Sequence, residues 1–308
     1  MSRNGNPKRV ETKLVGRDAE LSQLRACMRA GRNVLLEGPV GVGKTHLALA
    51  VVEELKRPVF RVDGDSRYSE QKLSGWFDPP SVIRKGFTEE TFVAGPLVEA
   101  MRTGGVLFIN ELNRLPEGVQ NVLLPAIDER LVVVPRLGEV RAKPGFLVIA
   151  TQNPKEFVAT SHLSEAILDR FELVVMNYQS EPEETEIVAG RLAAHSPGRE
   201  AAQLLPPAAV RLTRATRSHP RIRRGASVRA ALAVAELANA FLADGKTLEE
   251  AFVAAAMLAL PTRIELERDV EHEGSIQEEL ESLLKGLASD AFQGAKAEAP
   301  QNQGKKKT

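Results

Sequence analysis

The stretch Leu35-Leu36-Glu37-Gly38-Pro39-Val40-Gly41-Val42-Gly43-Lys44-Thr45 decides how the rest of the chain is read. It reads as a buried strand, a glycine-rich turn and the start of a helix carrying Lys44 and Thr45. Backbone N–H groups of Gly41, Val42 and Gly43 can point into one concavity. The helix dipole adds partial positive charge there, and the Lys44 ammonium adds a full one. Every fixed position of the pattern G-x-x-x-x-G-K-[ST] is met between Gly38 and Thr45. A chance glycine turn would not place strand, loop and helix in this order.

Working outward, the pattern alternates strand and helix. A helix from Asp18 to Gly31 precedes a strand at Asn33–Glu37. The helix behind the loop runs from Lys44 to about Lys56, with Leu47, Val51 and Leu55 on one face. Apolar strands follow at Val59–Val62, Val106–Ile109, Phe146–Ala150 and Phe171–Met176. Helices are expected at Gly95–Arg102, Leu115–Glu129 and Ser164–Asp169, and a β-hairpin at Leu131–Arg141. Asp63–Thr91 is loop-rich, with a short helix near Glu70–Leu73. In that stretch the bulky Trp76 and Phe77 either pack inward or meet a partner. Apolar strands alternating with helices argue for a parallel sheet covered on both faces. After Tyr178 the character turns all-helical. Capping boxes stand at Ser180/Glu183 and Thr247/Glu250, Pro206 and Pro207 are read as a helix start, and Pro261 is read as a stop. Ser275–Ala288 reads as one more helix.

The chain has 308 residues, with 41 Lys plus Arg against 41 Asp plus Glu. That balance gives no electrostatic argument for nucleic acid or an anionic membrane. No apolar run approaches the ~20 residues of a membrane span. The basic N-terminus lacks the apolar core of a secretory signal. Cys27 is the only cysteine, so no intramolecular disulfide forms, and a cytoplasmic location is the expectation. The five histidines, His46, His162, His195, His219 and His272, show no metal-ligand spacing. The cluster Arg214, Arg217, Arg221, Arg223 and Arg224 reads as a solvated face, or as contacts to nucleotide, before it reads as a nucleic-acid surface.

Three further signals sit at strand ends. Val106–Arg114 (VLFINELNR) closes an apolar strand with Asn110 and Glu111. In P-loop nucleoside triphosphatases a carboxylate here holds the Mg²⁺ shell with the loop Thr, and a second one can orient the attacking water. Glu111 is placed for the second task, Thr45 keeps the direct metal role, and the metal-shell position is Asn110. Asn153 ends the next strand, where its amide could bridge a γ-phosphate and the attacking water; the plain alternative is a turn at Asn153-Pro154. Arg170, in Leu168-Asp169-Arg170-Phe171, could serve a neighbouring subunit, or form a local ion pair with Asp169 or Glu172.

The ordered set resembles AAA+ ATPases, and closely their MoxR-type branch, over roughly Val15 to Ile264. The matching segments are LLEGPVGVGKT, FVAGPLVEA, ELNR, VQNVLLPAIDE, FLVIATQNP, LDRF and GASVRA at Gly225–Ala230. The resemblance implies an α/β fold: a three-layer parallel-sheet core at 13–178, after a flexible 1–12, followed by a small all-α lid at 179–264. A C-terminal helix and a disordered tail are expected over 265–308. It implies ATP and Mg²⁺ as cofactors, with Val15 and Gly16 near the adenine and Gly38, Pro39, Val40, Gly41, Val42, Gly43, Lys44, Thr45 and His46 around the nucleotide. Lys44 would bind the β- and γ-phosphates, and Thr45 and Asn110 would face the metal. Glu111 would polarise water and Asn153 would be the sensor-1 residue. Arg170 resembles an arginine finger, Arg114 a second interface arginine, and Arg229 the sensor-2 residue of the lid.

The resemblance also implies a hexameric ring, a von Willebrand factor A-domain partner, and a client such as a maturing metalloenzyme, as for the CoxD-type proteins. One residue departs from the family pattern: Asn110 stands where the family has Asp. An amide keeps an acceptor oxygen but loses the charge, and charge-assisted bonds are about twice as strong as neutral ones. Intact ATP binding, weaker Mg²⁺ affinity and slow turnover follow as expectations. A nucleotide-gated scaffold with little hydrolysis is the alternative. A DNA-acting motor is disfavoured by the neutral charge balance. A small-molecule kinase would not need Asn153, Arg170 and Arg229 in this arrangement.

Overall fold

The computed structural model describes residues 14–153, 163–267 and 275–299. The flexible start expected at 1–12, most of the tail after Ala299, His162 and His272 lie outside the described residues. The chain divides into two compact units at Tyr178–Gln179.

The first unit is built on a five-stranded sheet. Its strands are β1 (Val34–Glu37), β2 (Val59–Asp63), β3 (Val106–Asn110), β4 (Leu147–Gln152) and β5 (Glu172–Val175), in the spatial order β2-β3-β4-β1-β5. All pairings are parallel, with Val34 opposite both Ile149 and Glu172, and Asp63 opposite Asn110. The three inner strands are apolar almost throughout because both of their faces are covered. The edge strands β2 and β5 expose alternate residues instead.

The period-2 alternation sorts side chains onto two faces. On one, Leu35, Leu107, Ile109, Val148 and Ala150 pack with Leu97 and Met101 of α3 (Pro96–Thr103) and Leu123 of α4 (Glu117–Asp128). On the other, Val34, Leu36, Phe108, Leu147 and Ile149 pack with Leu24 of α1 (Asp18–Arg29) and Leu47 and Val51 of α2 (Lys44–Glu54). Each fully buried Leu or Phe contributes on the order of 1.5–3 kcal/mol.

The stretch read as loop-rich between Asp63 and Thr91 carries more structure than its pattern shows. Gly75–Phe77 pairs antiparallel with Phe92–Ala94. A helix at Pro79–Lys85 is capped by Asp78, which accepts from Ser81 N at 3.1 Å. Strands of three residues are too short to display alternation. Phe77 turns inward, its ring 5.1 Å from Phe87 and 5.2 Å from Phe92, while Trp76 is 44% exposed. The hairpin Leu131–Val134/Gly138–Arg141 forms as expected.

The second unit is helical: α5 (Glu181–Leu192), α6 (Arg199–Ser218), α7 (Val228–Ala243), α8 (Leu248–Ala259) and α9 (Ile276–Glu298). Both capping boxes are made, with Ser180 N donating to Glu183 at 2.8 Å and Thr247 N to Glu250 at 3.0 Å. Two expectations are corrected. Pro206 and Pro207 do not open a helix; they lie inside α6. Each removes a backbone bond at a cost of about 3 kcal/mol, which burial of Leu204, Leu205, Ala208 and Ala209 offsets. The helix expected to end at Ala288 runs on through Glu298, into the stretch expected as disordered tail. Ala291, Phe292 and Ala295 hold it in the core, with the Phe292 ring 5.5 Å from Phe252. A short antiparallel ladder joins Ile222–Arg224 to Glu265–Leu266.

Candidate nucleotide site

All five strands of the sheet are parallel, so the residues at their carboxyl ends share one edge. The phosphate loop leaves β1, Asn153 follows β4, Asn110 and Glu111 end β3, and Asp63 ends β2. Ligands of open α/β sheets bind at this edge. The loop is shaped for an anion. Gly43 takes φ +95° ahead of α2, a conformation that side chains resist. Gly38 lies so close to the chain after β5 that a Cβ would sit 2.1 Å from the Met176 carbonyl oxygen. Lys44 Nζ donates to the Gly38 and Pro39 carbonyls at 2.6 and 2.9 Å, which places the ammonium inside the loop.

Thr45 and the β3 end meet directly. Thr45 Oγ1 donates to Asn110 Oδ1 at 3.2 Å, and Thr151 Oγ1 donates to the same oxygen at 3.1 Å. Thr151 Oγ1 also accepts from Glu111 N at 2.9 Å. Asn110 Nδ2 donates to Asp63 Oδ1 at 3.2 Å. Arg61 grips that carboxylate, with Nε 3.0 and 3.1 Å from its two oxygens and Nη2 2.7 Å from one of them. This hydrogen bond raises the Arg61 pKa, and burial followed by the Asp63 charge raises the Tyr68 phenol.

Glu111 adopts φ 59°, ψ 58°, a left-handed conformation unusual for a side-chain-bearing residue. Such a backbone costs on the order of 1–3 kcal/mol and collects at functional sites. It turns the chain sharply after β3, and Glu111 Oε2 pairs with Arg114 Nε at 3.1 Å. Arg114 therefore contacts the expected base within its own chain. Arg170 pairs with Asp128 at 2.5 Å, not with the nearby Asp169 or Glu172, and also donates to the Ala166 carbonyl. That ion pair is partly exposed and worth at most about 1 kcal/mol.

Asn153 is buried immediately after β4. Val15 is half-buried and Gly16 and His46 are exposed. Beside them Arg17 is buried and does what the sequence did not suggest: its Nη2 donates to the Val42 and Asn177 carbonyls at 2.9 and 2.8 Å. It fastens the segment before α1 to the loop and to the chain beyond β5. A Gly-Arg pair just ahead of a helix was its only sequence signal.

The oxygen donors Thr45 and Asn110, converging beside a backbone cradle with a lysine in it, suit a hard cation and a phosphate. Lys44 and the loop amides would hold the phosphates, and Thr45 with Asn110 would hold the Mg²⁺ shell.

Arg229 belongs to the second unit, where it is exposed at the start of α7. Its helix is positioned by a buried chain of contacts. Glu184 is fully buried and accepts from Arg217 Nη1 at 2.7 Å and Arg214 Nη1 at 3.3 Å. Arg217 Nε donates to the Ala226 carbonyl at 2.7 Å, and Ala226 N donates to Thr216 Oγ1 at 2.9 Å. The basic cluster is thus largely matched by carboxylates: Arg221 pairs with Glu279, and Arg223 lies 3.6 Å from Glu265.

The sheet, loop and strand-end polar set define a phosphate-loop nucleotide-binding fold followed by a helical unit. Residues 33–171 match the AAA domain, dynein-related subfamily. An uncharacterised protein of Staphylococcus saprophyticus is 32% identical over 172 residues, 55% of this chain and 65% of its own length. An uncharacterised protein of Staphylococcus aureus is 35% identical over 156 residues, 50% of this chain and 59% of its own. The chain therefore spans about three-fifths of the length of these curated relatives.

Among solved structures, a RuvB variant of Thermotoga maritima superposes with TM-score 0.54 at 18% identity, covering 80% of this chain and 71% of that one. A putative ATPase of Cytophaga hutchinsonii gives TM-score 0.48 at 22% identity, covering 88% of this chain and 89% of its own. The likeness to RuvB is one of fold. Among the described residues no helix is long and apolar enough to cross a membrane.

Proposed function

We propose that this chain is an AAA+ ATPase that binds ATP with Mg²⁺ and hydrolyses it slowly to ADP and phosphate. The observation that carries the reading is the meeting of Thr45 and Asn110, with Lys44 and Glu111 beside them, inside a segment that matches the AAA domain. Lys44 and the loop amides bind and orient the phosphates. Glu111 accepts a proton from the attacking water once Arg114 has yielded it. Asn153 orders that water, and Arg170, released from Asp128, completes the site of an adjacent subunit. Bound Mg²⁺ neutralises charge on the phosphate oxygens.

The finer assignment rests on the sequence resemblance. In that reading the chain is a MoxR-type chaperone, cytoplasmic and hexameric. It acts with a von Willebrand factor A-domain partner on a protein client or a metalloenzyme awaiting its cofactor. Ile83 at 86% exposure and Trp76 at 44% offer apolar contacts for such a client. Purified protein should bind ATP, release phosphate over many turnovers, and grow in size on a column when ATP and Mg²⁺ are added. A monomer under all conditions, with no phosphate released, would sink the reading. The second reading, a nucleotide-gated scaffold, is favoured by Asn110. It expects ATP-dependent assembly with less than one phosphate released per site at stoichiometric protein.

A further inference from the structure

We propose that Asp63 is a positioning residue: it fixes the side-chain amide of Asn110 so that the oxygen, and not the nitrogen, faces Thr45. The metal-shell position of this site is then a device of two residues on two strands. The inference rests on the ATP·Mg²⁺ reading of the same site.

An asparagine amide has two ends of nearly the same size and opposite polarity. Only its oxygen can take over part of a carboxylate's task. The nitrogen, turned toward Thr45, would present donors to a site that must gather acceptors. The partners of Asn110 settle the orientation. Thr45 and Thr151 both donate to Oδ1. The Asp63 carboxylate can only accept when ionised, so it must face Nδ2, and Nδ2 lies 3.2 Å from it. The sheet makes the meeting obligatory, because Asp63 and Asn110 are register partners at the ends of β2 and β3.

The bland alternative is an Arg61–Asp63 surface pair. Both side chains are about half exposed, and such pairs contribute little. Arg61 and Asn110 share one oxygen of Asp63: Arg61 Nη2 and Nε and Asn110 Nδ2 all reach Oδ1, and Arg61 Nε also reaches Oδ2. Arg61 balances the charge of Asp63, so Asp63 acts through the orientation it gives the amide.

The role predicts a dependence on residue 110 that a purely structural one does not. With Asn110 in place, removing Asp63 frees the amide to turn. With N110D, both ends of the side chain are acceptor oxygens, so Asp63 has nothing to orient. Removing Asp63 should then cost much less.

The test uses the full chain and a fluorescent ATP derivative, with affinity measured in excess Mg²⁺ and in EDTA, and melting temperature as a control. Asp63→Ala is expected to cut the Mg²⁺-dependent gain in affinity about tenfold, the size of one charge-assisted bond. Its affinity in EDTA and its melting temperature should stay near wild type, and D63N should fall between. In the N110D background, D63A is expected to cost much less of the Mg²⁺-dependent gain. Equal weakening in EDTA, equal weakening in both backgrounds, or no effect in either would overturn the proposal. Wild-type protein that binds no ATP in any condition would overturn the nucleotide reading as well, a different result from Mg²⁺-enhanced binding that ignores Asp63.

Discussion

The two units bury polar groups for different purposes. In the α/β unit, Thr151 and Asn153 are buried at the end of β4, beside a loop whose glycines leave room for a ligand. In the helical unit, fully buried Glu184 is spent on Arg214 and Arg217, and through Arg217 on the loop that starts α7. The cores differ in the same sense. Phe108, Phe146 and branched aliphatics fill the sheet, whereas alanines from α6, α7, α8 and α9 let the helices approach closely. Polar groups at strand ends are arranged for something that comes and goes. The buried ion cluster is arranged to stay.

Substitutions can break that contrast. Glu111→Gln should lower phosphate release by about 10²–10⁴-fold, the range of a lost general base, with ATP affinity and melting temperature unchanged; a simple loss of folding would contradict the division. Glu184→Ala should do the reverse. Removing one partner of a buried pair costs about 3–5 kcal/mol, so chemical denaturation should show the helical unit melting early, while the other unit still binds ATP. Lys44→Ala should weaken ATP binding by about 10- to 150-fold, from a charged hydrogen bond of about 1.5–3 kcal/mol, measured by titration calorimetry at constant melting temperature.

The mildest case is Thr247→Ala, which removes an N-cap at about 1 kcal/mol. The Thr247 side chain, and then its backbone N–H, hold the Glu250 carboxyl below its usual pKa. Its contribution is present above the ordinary carboxylate range and is lost as pH falls through the lowered value. The difference in melting temperature between wild type and T247A should therefore shrink in acid.

Much of this was legible in the sequence, for identifiable reasons. Strands β1, β3 and β4 announce themselves because both faces are buried and all but their last residues are apolar. Lys44, Thr45 and Glu111 can be placed at strand ends from the sequence because backbone geometry imposes their spacing on neighbouring residues. Asp63 was missed because its partner is set by parallel register between strands far apart in sequence. Arg17 was missed for the same reason: its acceptors are backbone carbonyls of Val42 and Asn177, which leave no trace in composition. Pro206 and Pro207 misled because local propensity argues for a boundary where tertiary burial carries the helix through. The end of α9 was hidden by polar residues on its outer face.

The place of β1 in the sheet has a consequence for how the protein is made. Its neighbours are β4 and β5, and Val34 finds Ile149 only after about 115 further residues have been added. At ribosomal rates of about 5–20 residues per second, that is roughly 6–23 s. For that time the apolar strand that launches the phosphate loop has both hydrogen-bonding edges bare, a template for the wrong partner. Nucleotide cannot protect it, since the cradle closes only when Met176 arrives against Gly38. The phosphate loop is thus synthesised well before the strands that frame it, and the yield of soluble protein should respond more to slow translation and chaperone supply than to added ATP.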